Sequence, residues 1–200
     1  MYIKGSVEAY LSDLAARKPA PGGGSAAALT AAAGVALMSM VANYTIGNPK
    51  YKSGEENAKK ILNRTLEARK ELEALIDMDV EAYSKLSKIM KETKDASKLE
   101  MAYKEAIKPP CDICRISAEC LKLCDGLIEC GNKNLITDTA IAVIFLEGAF
   151  FAAKYNVYIN MRYIKDMDFI GSIHNILQPM EEQLPKLKEE FLEKCEEVIR

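Results

Sequence analysis

From Pro19 to Pro49 the chain carries no charged residue, and most of that stretch is Ala, Gly, Ser and Thr. A helix made of it has no polar face to turn to solvent, so it must be surrounded on every side. Lipid or the rest of the protein could do this. Small side chains favour the protein, because Ala-rich helices partition weakly into lipid and Asn43 and Tyr44 lie inside the stretch. The reading is a central helix over about Ala26 to Ile46. Lys18-Pro19-Ala20-Pro21-Gly22-Gly23-Gly24 forms a firm break before it, Ser25 caps it, and Gly47-Asn48-Pro49 ends it. A second apolar stretch, Leu135 to Ala153, contains Asp138 and Glu147, each costly at membrane depth. Both stretches read as buried helices of a bundle, not as spans.

The remaining sequence is helical in period. Ser6 caps a first helix with Val7, Tyr10, Leu11 and Leu14 on one face. Ser53-Gly54-Glu55-Glu56 has the form of a capping box opening a long helix to about Glu92. Its apolar stripe runs Leu62, Leu66, Leu72, Ile76, Tyr83, Leu86 and Met90, with Asp79 inside it. Further segments are expected over Lys98 to Ile107, stopped by Pro109-Pro110, over Cys111 to Cys130, and over Ile136 to Tyr163. Pro179 is expected to divide two last helices. No run alternates with period two for long enough to make a sheet. The expectation is one all-α domain over 1–200, a bundle of long antiparallel helices.

Hydrophobic residues make up 49% of the chain, enough to close a core. With 27 basic and 29 acidic residues the net charge is −2, which argues against a protein that coats nucleic acid or an anionic membrane. No secretory signal is expected at the start of the chain. Six cysteines in such a chain fit reduced thiols in a cytoplasmic setting. Cys111 and Cys114 have the spacing of half a zinc site, but on one helix Cys120 and Cys124 point roughly opposite to them. Buried thiols are therefore expected and no metal site. A lone histidine, His174, leaves a Ser or Cys nucleophile without an evident base.

Two features could carry chemistry. Pro21-Gly22-Gly23-Gly24-Ser25 offers backbone N–H groups at a helix start, where the macrodipole favours an anion. It lacks the Gly-Lys-Ser/Thr ending of a Walker loop, and three glycines also serve simply to turn the chain tightly. The second feature is a set of acids in apolar settings. Asp79 falls between Ile76 and Tyr83, where desolvation raises a carboxyl pKa unless it is paired. Asp138 opens an apolar helix, where an acid also serves as a plain helix-start residue. Glu147 lies deeper in that helix and suits an interior ion pair equally well.

The order of these motifs resembles the formiminotetrahydrofolate cyclodeaminase/methenyltetrahydrofolate cyclohydrolase family. The likeness rests on Pro21 to Leu29, then Met40-Val41-Ala42-Asn43-Tyr44-Thr45-Ile46-Gly47, Lys50-Tyr51 and Asp79-Val80-Glu81-Ala82-Tyr83. It resumes at Gly131-Asn132-Lys133-Asn134 with Thr137-Asp138, and ends near Asn156 to Asn160, covering about residues 6 to 165. The chain departs from the family where Thr137 replaces Ser, and between Lys85 and Tyr103, which lack the usual proline and arginine. Its cysteine-rich segment is also unlike the family.

The resemblance implies an all-helical cytoplasmic homodimer with a folate site near the subunit interface. It implies an enzyme that closes 5-formiminotetrahydrofolate to the methenyl form with loss of ammonia, or opens the methenyl form with water. Both reactions need proton transfer and no cofactor beyond the tetrahydrofolate substrate. It points to Asp138 and Asp79 as an acid/base or pterin-orienting pair, with Lys50 and Tyr51 for proton transfer or the folate carboxylates. Gly22, Gly23, Gly24, Ser25, Asn43, Asn132 and Asn134 would hold polar edges of the ligand. A rival reading is a non-catalytic helical dimer of the same family that binds folate or a protein, suggested by the altered 85–103 region.

Overall fold

The computed structural model describes residues 1–200, and every regular element is helical. Six α-helices follow one another: α1 (Val7–Ala15), α2 (Gly23–Thr45), α3 (Glu55–Glu92), α4 (Ala96–Cys130), α5 (Ile136–Met161) and α6 (Met167–Ile199). Single 3-10 pieces at Tyr2–Lys4, Pro49–Gly54 and Lys133–Leu135 bridge some of the joins.

The charge-free helix is central but not surrounded on every side, since Ala33, Ala36, Asn43 and Tyr44 are exposed. Helix α2 packs against α3, α4 and α5. Ala27, Ala28, Ala31 and Val35 are essentially solvent-free. Gly34 brings α5 close, since a Cβ there would stand 3.2 Å from both Leu146 Cγ and Phe145 Cβ. Helices α2 and α5 run antiparallel: Gly23 lies against Asn156, Gly34 against Ala142 and Leu146, and Thr45 accepts from the Asn132 N–H. Helices α2 and α3 are antiparallel too, joined by Ser25 to Asp79 at one end and Ser39 to Thr65 further along. This arrangement explains why both apolar stretches are long enough to cross a membrane by length and composition. They face each other and the core, which also buries Met38, Leu72, Leu121 and Phe150.

Polar ties fix the outer helices. Arg64 of α3 grips Glu119 of α4 through two bonds of 2.6 and 2.8 Å. Glu147 takes the ion-pair role, accepting from Lys188 of α6 at 3.0 Å. Nearby, the buried Lys154 ammonium meets Glu181 of α6 and lies over the Phe151 and Tyr158 rings.

Several boundaries differ from expectation. The segments on either side of Pro109-Pro110 are one helix, α4, with both prolines buried. Each proline removes one N–H bond, to Glu105 and Ala106, but packing of α4 against α3 and α5 outweighs that loss. Helix α6 likewise passes through Pro179 and Pro185. Helix α3 starts after Gly54 with no side-chain cap, so the capping box does not form. Its stripe also shifts: Ile61, Thr65, Ala68 and Leu75 are buried, whereas Leu66, Tyr83 and Met90 are exposed. Cys111, Cys114, Cys120, Cys124 and Cys130 lie on an unbroken α4, and Cys195 lies on α6. All six are free, and burial pushes the Cys111 and Cys120 thiols up to about 12 and moves Cys114 and Cys124 the same way.

Candidate active site

The glycine-rich start of α2 and Asp79 come together directly. Gly22 is the N-cap and contributes no side-chain bond; the helix begins at Gly23, ahead of Ser25. The capping role expected of Ser25 passes to Asp79, whose Oδ2 accepts from the Ser25 N–H at 2.9 Å. The carboxylate occupies the space a side chain at residue 24 would need. A Cβ on Gly24 would sit 2.1 Å from Asp79 Oδ1 and 2.5 Å from its Cγ. Glycine at 24 is thus required by close approach and not by backbone angle.

This setting holds Asp79 between two opposing influences. Burial raises its pKa above the ordinary carboxyl value, and the Ser25 N–H partly opposes that rise. The result is an acid that keeps its proton to higher pH than usual while still facing a helix N-terminus. Ser25 is itself buried, and its hydroxyl accepts from Tyr10 of α1 at 3.2 Å. Asn156 of α5 lies against Gly23, 3.5 Å from where a Cβ would be. A half-buried acid, a hydroxyl pair and a carboxamide therefore converge at this end of α2.

The other expected residues gather at the opposite end. The Asn132 side chain accepts from the Asn134 N–H and its N–H donates to Thr45 Oγ1 at 2.9 Å. Asn132 Nδ2 donates to the Tyr44 carbonyl. The Tyr51 hydroxyl accepts from the Lys133 N–H at 3.0 Å, tying the 3-10 turn of Lys50 and Tyr51 to the start of α5. Lys50, Asn43 and Asn134 are exposed there, and Asp138 stands half-buried in the first turn of α5. No ion pair or hydrogen bond of the chain engages the Asp138 carboxylate.

With this arrangement in view, the family profile of formiminotransferase-cyclodeaminase matches residues 6–179. The chain belongs to that family. It is 37% identical over 172 residues to a methenyltetrahydrofolate cyclohydrolase of Methylorubrum extorquens, covering 82% of this chain and 83% of that protein. It is 30% identical to the mouse formimidoyltransferase-cyclodeaminase over 85% of this chain, but spans only 33% of that longer protein. The crystal structure of a formiminotetrahydrofolate cyclodeaminase from Thermotoga maritima superposes over the full length of both chains, with a TM-score of 0.94 and 31% identity.

Family membership makes the distance between the two ends important. Gly34 opposite Ala142 and Thr45 opposite Asn132 set Asp138 level with about Met40 of α2, whereas Asp79 is level with Gly24 and Ser25. At 1.5 Å per residue this is on the order of 20 Å along the helix. The expected pair of Asp79 and Asp138 is therefore not formed within one chain. The two acids lie at opposite ends of α2.

Three polar residues at or beside the glycine-rich start of α2 were not singled out from sequence. Tyr10 reads as one more apolar-face residue of α1. Asn156 lies in the family-like stretch Asn156 to Asn160 but gives no sign of facing Gly23. Asp77 is buried, with one oxygen receiving the Tyr2 N–H at 2.5 Å and the other unpartnered. Its position two residues from Asp79 puts it on another face of α3, where it pins the start of the chain. A concavity of about 770 Å³ lies between α3 and α4 and is lined by Met78, Ala82, Leu86, Met101 and Pro109. It opens on the α4 side of α3, whereas the Asp79 carboxylate faces α2, so the two are separate.

Proposed function

We propose that this protein is a folate one-carbon enzyme that acts at the formimino or methenyl carbon of tetrahydrofolate. The supporting observation is Asp79, a half-buried acid with a raised pKa set against the glycine-rich start of α2 in a chain of this family. Both reactions of the family pass through a tetrahedral carbon. In cyclodeamination N10 attacks the carbon of the protonated formimino group, N10 loses its proton, and the departing nitrogen gains one to leave as ammonia. In the cyclohydrolase direction water adds to the methenyl carbon and gives up one proton, and the resulting hydroxyl gives up its second as the C–N5 bond breaks and N5 gains one. Each therefore needs a group that donates a proton and a group that accepts one, and two carboxyls in unlike settings meet that need.

In this reading Asp79 supplies the proton and Asp138 accepts one or steadies positive charge at the reacting carbon. Tyr51, positioned by the Lys133 N–H, and Lys50 assist proton transfer or bind the folate carboxylates. The N–H groups of Gly23 and Gly24, with Asn156, Asn132, Asn134 and Asn43, hold polar edges of the ligand. The chemistry is complete with these groups and the folate, as a homodimer in the cytoplasm. Asp138→Asn tests the assignment, because Asn keeps the size of Asp but takes up no proton at neutral pH. Turnover should fall about a hundredfold to ten-thousandfold with helix content unchanged. A plain helix-start acid would instead cost about 1 kcal/mol of stability or less and leave turnover intact.

A further inference from the structure

The start of the chain fixes one side chain that the proposed chemistry does not use. Tyr10 is the single buried residue of α1, 5% exposed. The residues before α1 hold it in place. The Tyr2 N–H donates to Asp77 of α3, the Tyr2 hydroxyl donates to Asp13, and the Tyr2 ring meets the Tyr10 ring edge-on at 5.4 Å. Held this way, the Tyr10 hydroxyl donates to the Ser25 hydroxyl at 3.2 Å, and Ser25 is solvent-free. Phenylalanine would fill the same space, so packing alone does not call for the hydroxyl. Burial also keeps the Tyr10 phenol above its ordinary pKa, so it remains a donor wherever a carboxyl titrates.

Ser25 carries two donors, and only one of them is directed at Asp79. Its backbone N–H reaches Asp79 Oδ2 at 2.9 Å, while its hydroxyl sits against Tyr10 and makes no bond to the carboxylate. A second donor on the carboxylate would stabilise its charged form and loosen its hold on the proton. The other groups around Asp79 offer none. Helix α2 presents the Gly24 backbone, α5 presents the Asn156 carboxamide beside Gly23, and Asp77 on α3 turns to Tyr2. No charged side chain acts on Asp79 from any element; burial and the Ser25 N–H set its affinity for the proton.

We propose that Tyr10 is a positioning residue that holds the Ser25 hydroxyl away from Asp79 and so keeps the proton on that carboxyl. Without the Tyr10 hydroxyl, the Ser25 hydroxyl is left buried and unpartnered, which is costly. Rotation of χ1 to another staggered position offers it the carboxylate that already takes its N–H. Asp79 then releases its proton more readily and serves less well as a donor. The hold on the proton stands apart from the folate reading; only its use in turnover rests on that reading.

Carbon-13 NMR of the Asp79 carboxyl through its titration tests this without any folate, with Asp79→Asn to assign the signal. In Tyr10→Phe the midpoint should fall by about one pH unit, an about tenfold weaker hold on the proton, since a hydrogen bond to a charged group is worth at least that much. In a Ser25→Ala background Tyr10→Phe should leave the midpoint in place, because no hydroxyl is there to be released. A Tyr10 that only anchors α1 would lower Tm in both backgrounds and move neither midpoint. A constant or rising midpoint in Tyr10→Phe, or an equal fall with and without the Ser25 hydroxyl, would overturn the proposal. In turnover, the descending limb of the Tyr10→Phe pH–rate profile should move to lower pH by the same amount. If the midpoint falls and that limb stays, Tyr10 keeps its role and the reading of Asp79 as the proton donor fails.

Discussion

Adding one methyl group at Gly24 should separate a functional cap from a mere tight turn. The Cβ of Gly24→Ala would fall 2.1 Å from Asp79 Oδ1, well inside contact distance, so the carboxylate must move. Moving it breaks the 2.9 Å bond from the Ser25 N–H, a charge-assisted bond worth about 1.5–3 kcal/mol. Alanine returns up to about 1 kcal/mol through its better helix propensity. The net loss is then about 1–2 kcal/mol, seen as a fall of roughly 3–6 °C in Tm for a chain of this size. Displacing the acid by ~1 Å or more should also cost about a hundredfold in turnover. Gly23→Ala is the control for stability: its Cβ would meet Asn156 at 3.5 Å, an ordinary contact, and Tm should hardly move. Thermal melts of both variants, with folate turnover for Gly24→Ala, complete the assay. Equal Tm values for the two variants, or full activity in Gly24→Ala, would refute the reasoning.

The raised pKa of Asp79 gives a signed pH prediction. Because the folded form binds this proton more tightly than the unfolded chain, stability from this group is full below the ordinary carboxyl pKa and is lost as pH climbs through the raised one. Asp79→Asn lacks that loss, so thermal melts should show its Tm improving relative to wild type from pH 4 to 7; a constant difference would contradict it. Glu181→Ala should cost about 2–3 kcal/mol in urea melts, below the 3–5 of a fully buried pair because Glu181 is one-third exposed, by stranding the buried Lys154 ammonium. Lys154→Met combined with Glu181→Leu should recover most of that loss, and no recovery would place the cost elsewhere.

How far the sequence was legible follows from what each residue senses. The central position of α2 could be read because a charge-free, small-residue helix has only one kind of environment open to it. Asp79 could be read because a lone carboxylate in an apolar stripe must be desolvated. The end of the α3 stripe could not. Helix α2 starts level with Asp79, so Tyr83 and Met90 extend past it and have no α2 surface to bury them. The prolines at 109 and 110 misled because their local cost is repaid by packing against helices distant in sequence. The separation of Asp79 from Asp138 is likewise a property of topology. Each acid reads alike locally, and only the antiparallel pairing of α2 with α3 and α5 shows that they sit at opposite ends. The exposure of Ala33 and Tyr44 on α2 and of Ile141, Ile144 and Tyr155 on α5 was hidden inside stretches whose overall hydropathy suggested burial on all sides.

The central claim is that this chain acts on the one-carbon unit of tetrahydrofolate. Ultraviolet absorbance tests it most directly, because the conjugated methenyl bridge absorbs in the near ultraviolet and its formimino precursor and formyl product do not. Purified wild-type protein is mixed with each folate in turn. The account predicts that the methenyl band grows when formiminotetrahydrofolate is supplied, or decays faster than the protein-free control when the methenyl form is supplied. Binding of both folates with no change in either band would contradict it and leave a non-catalytic folate-binding member of the family.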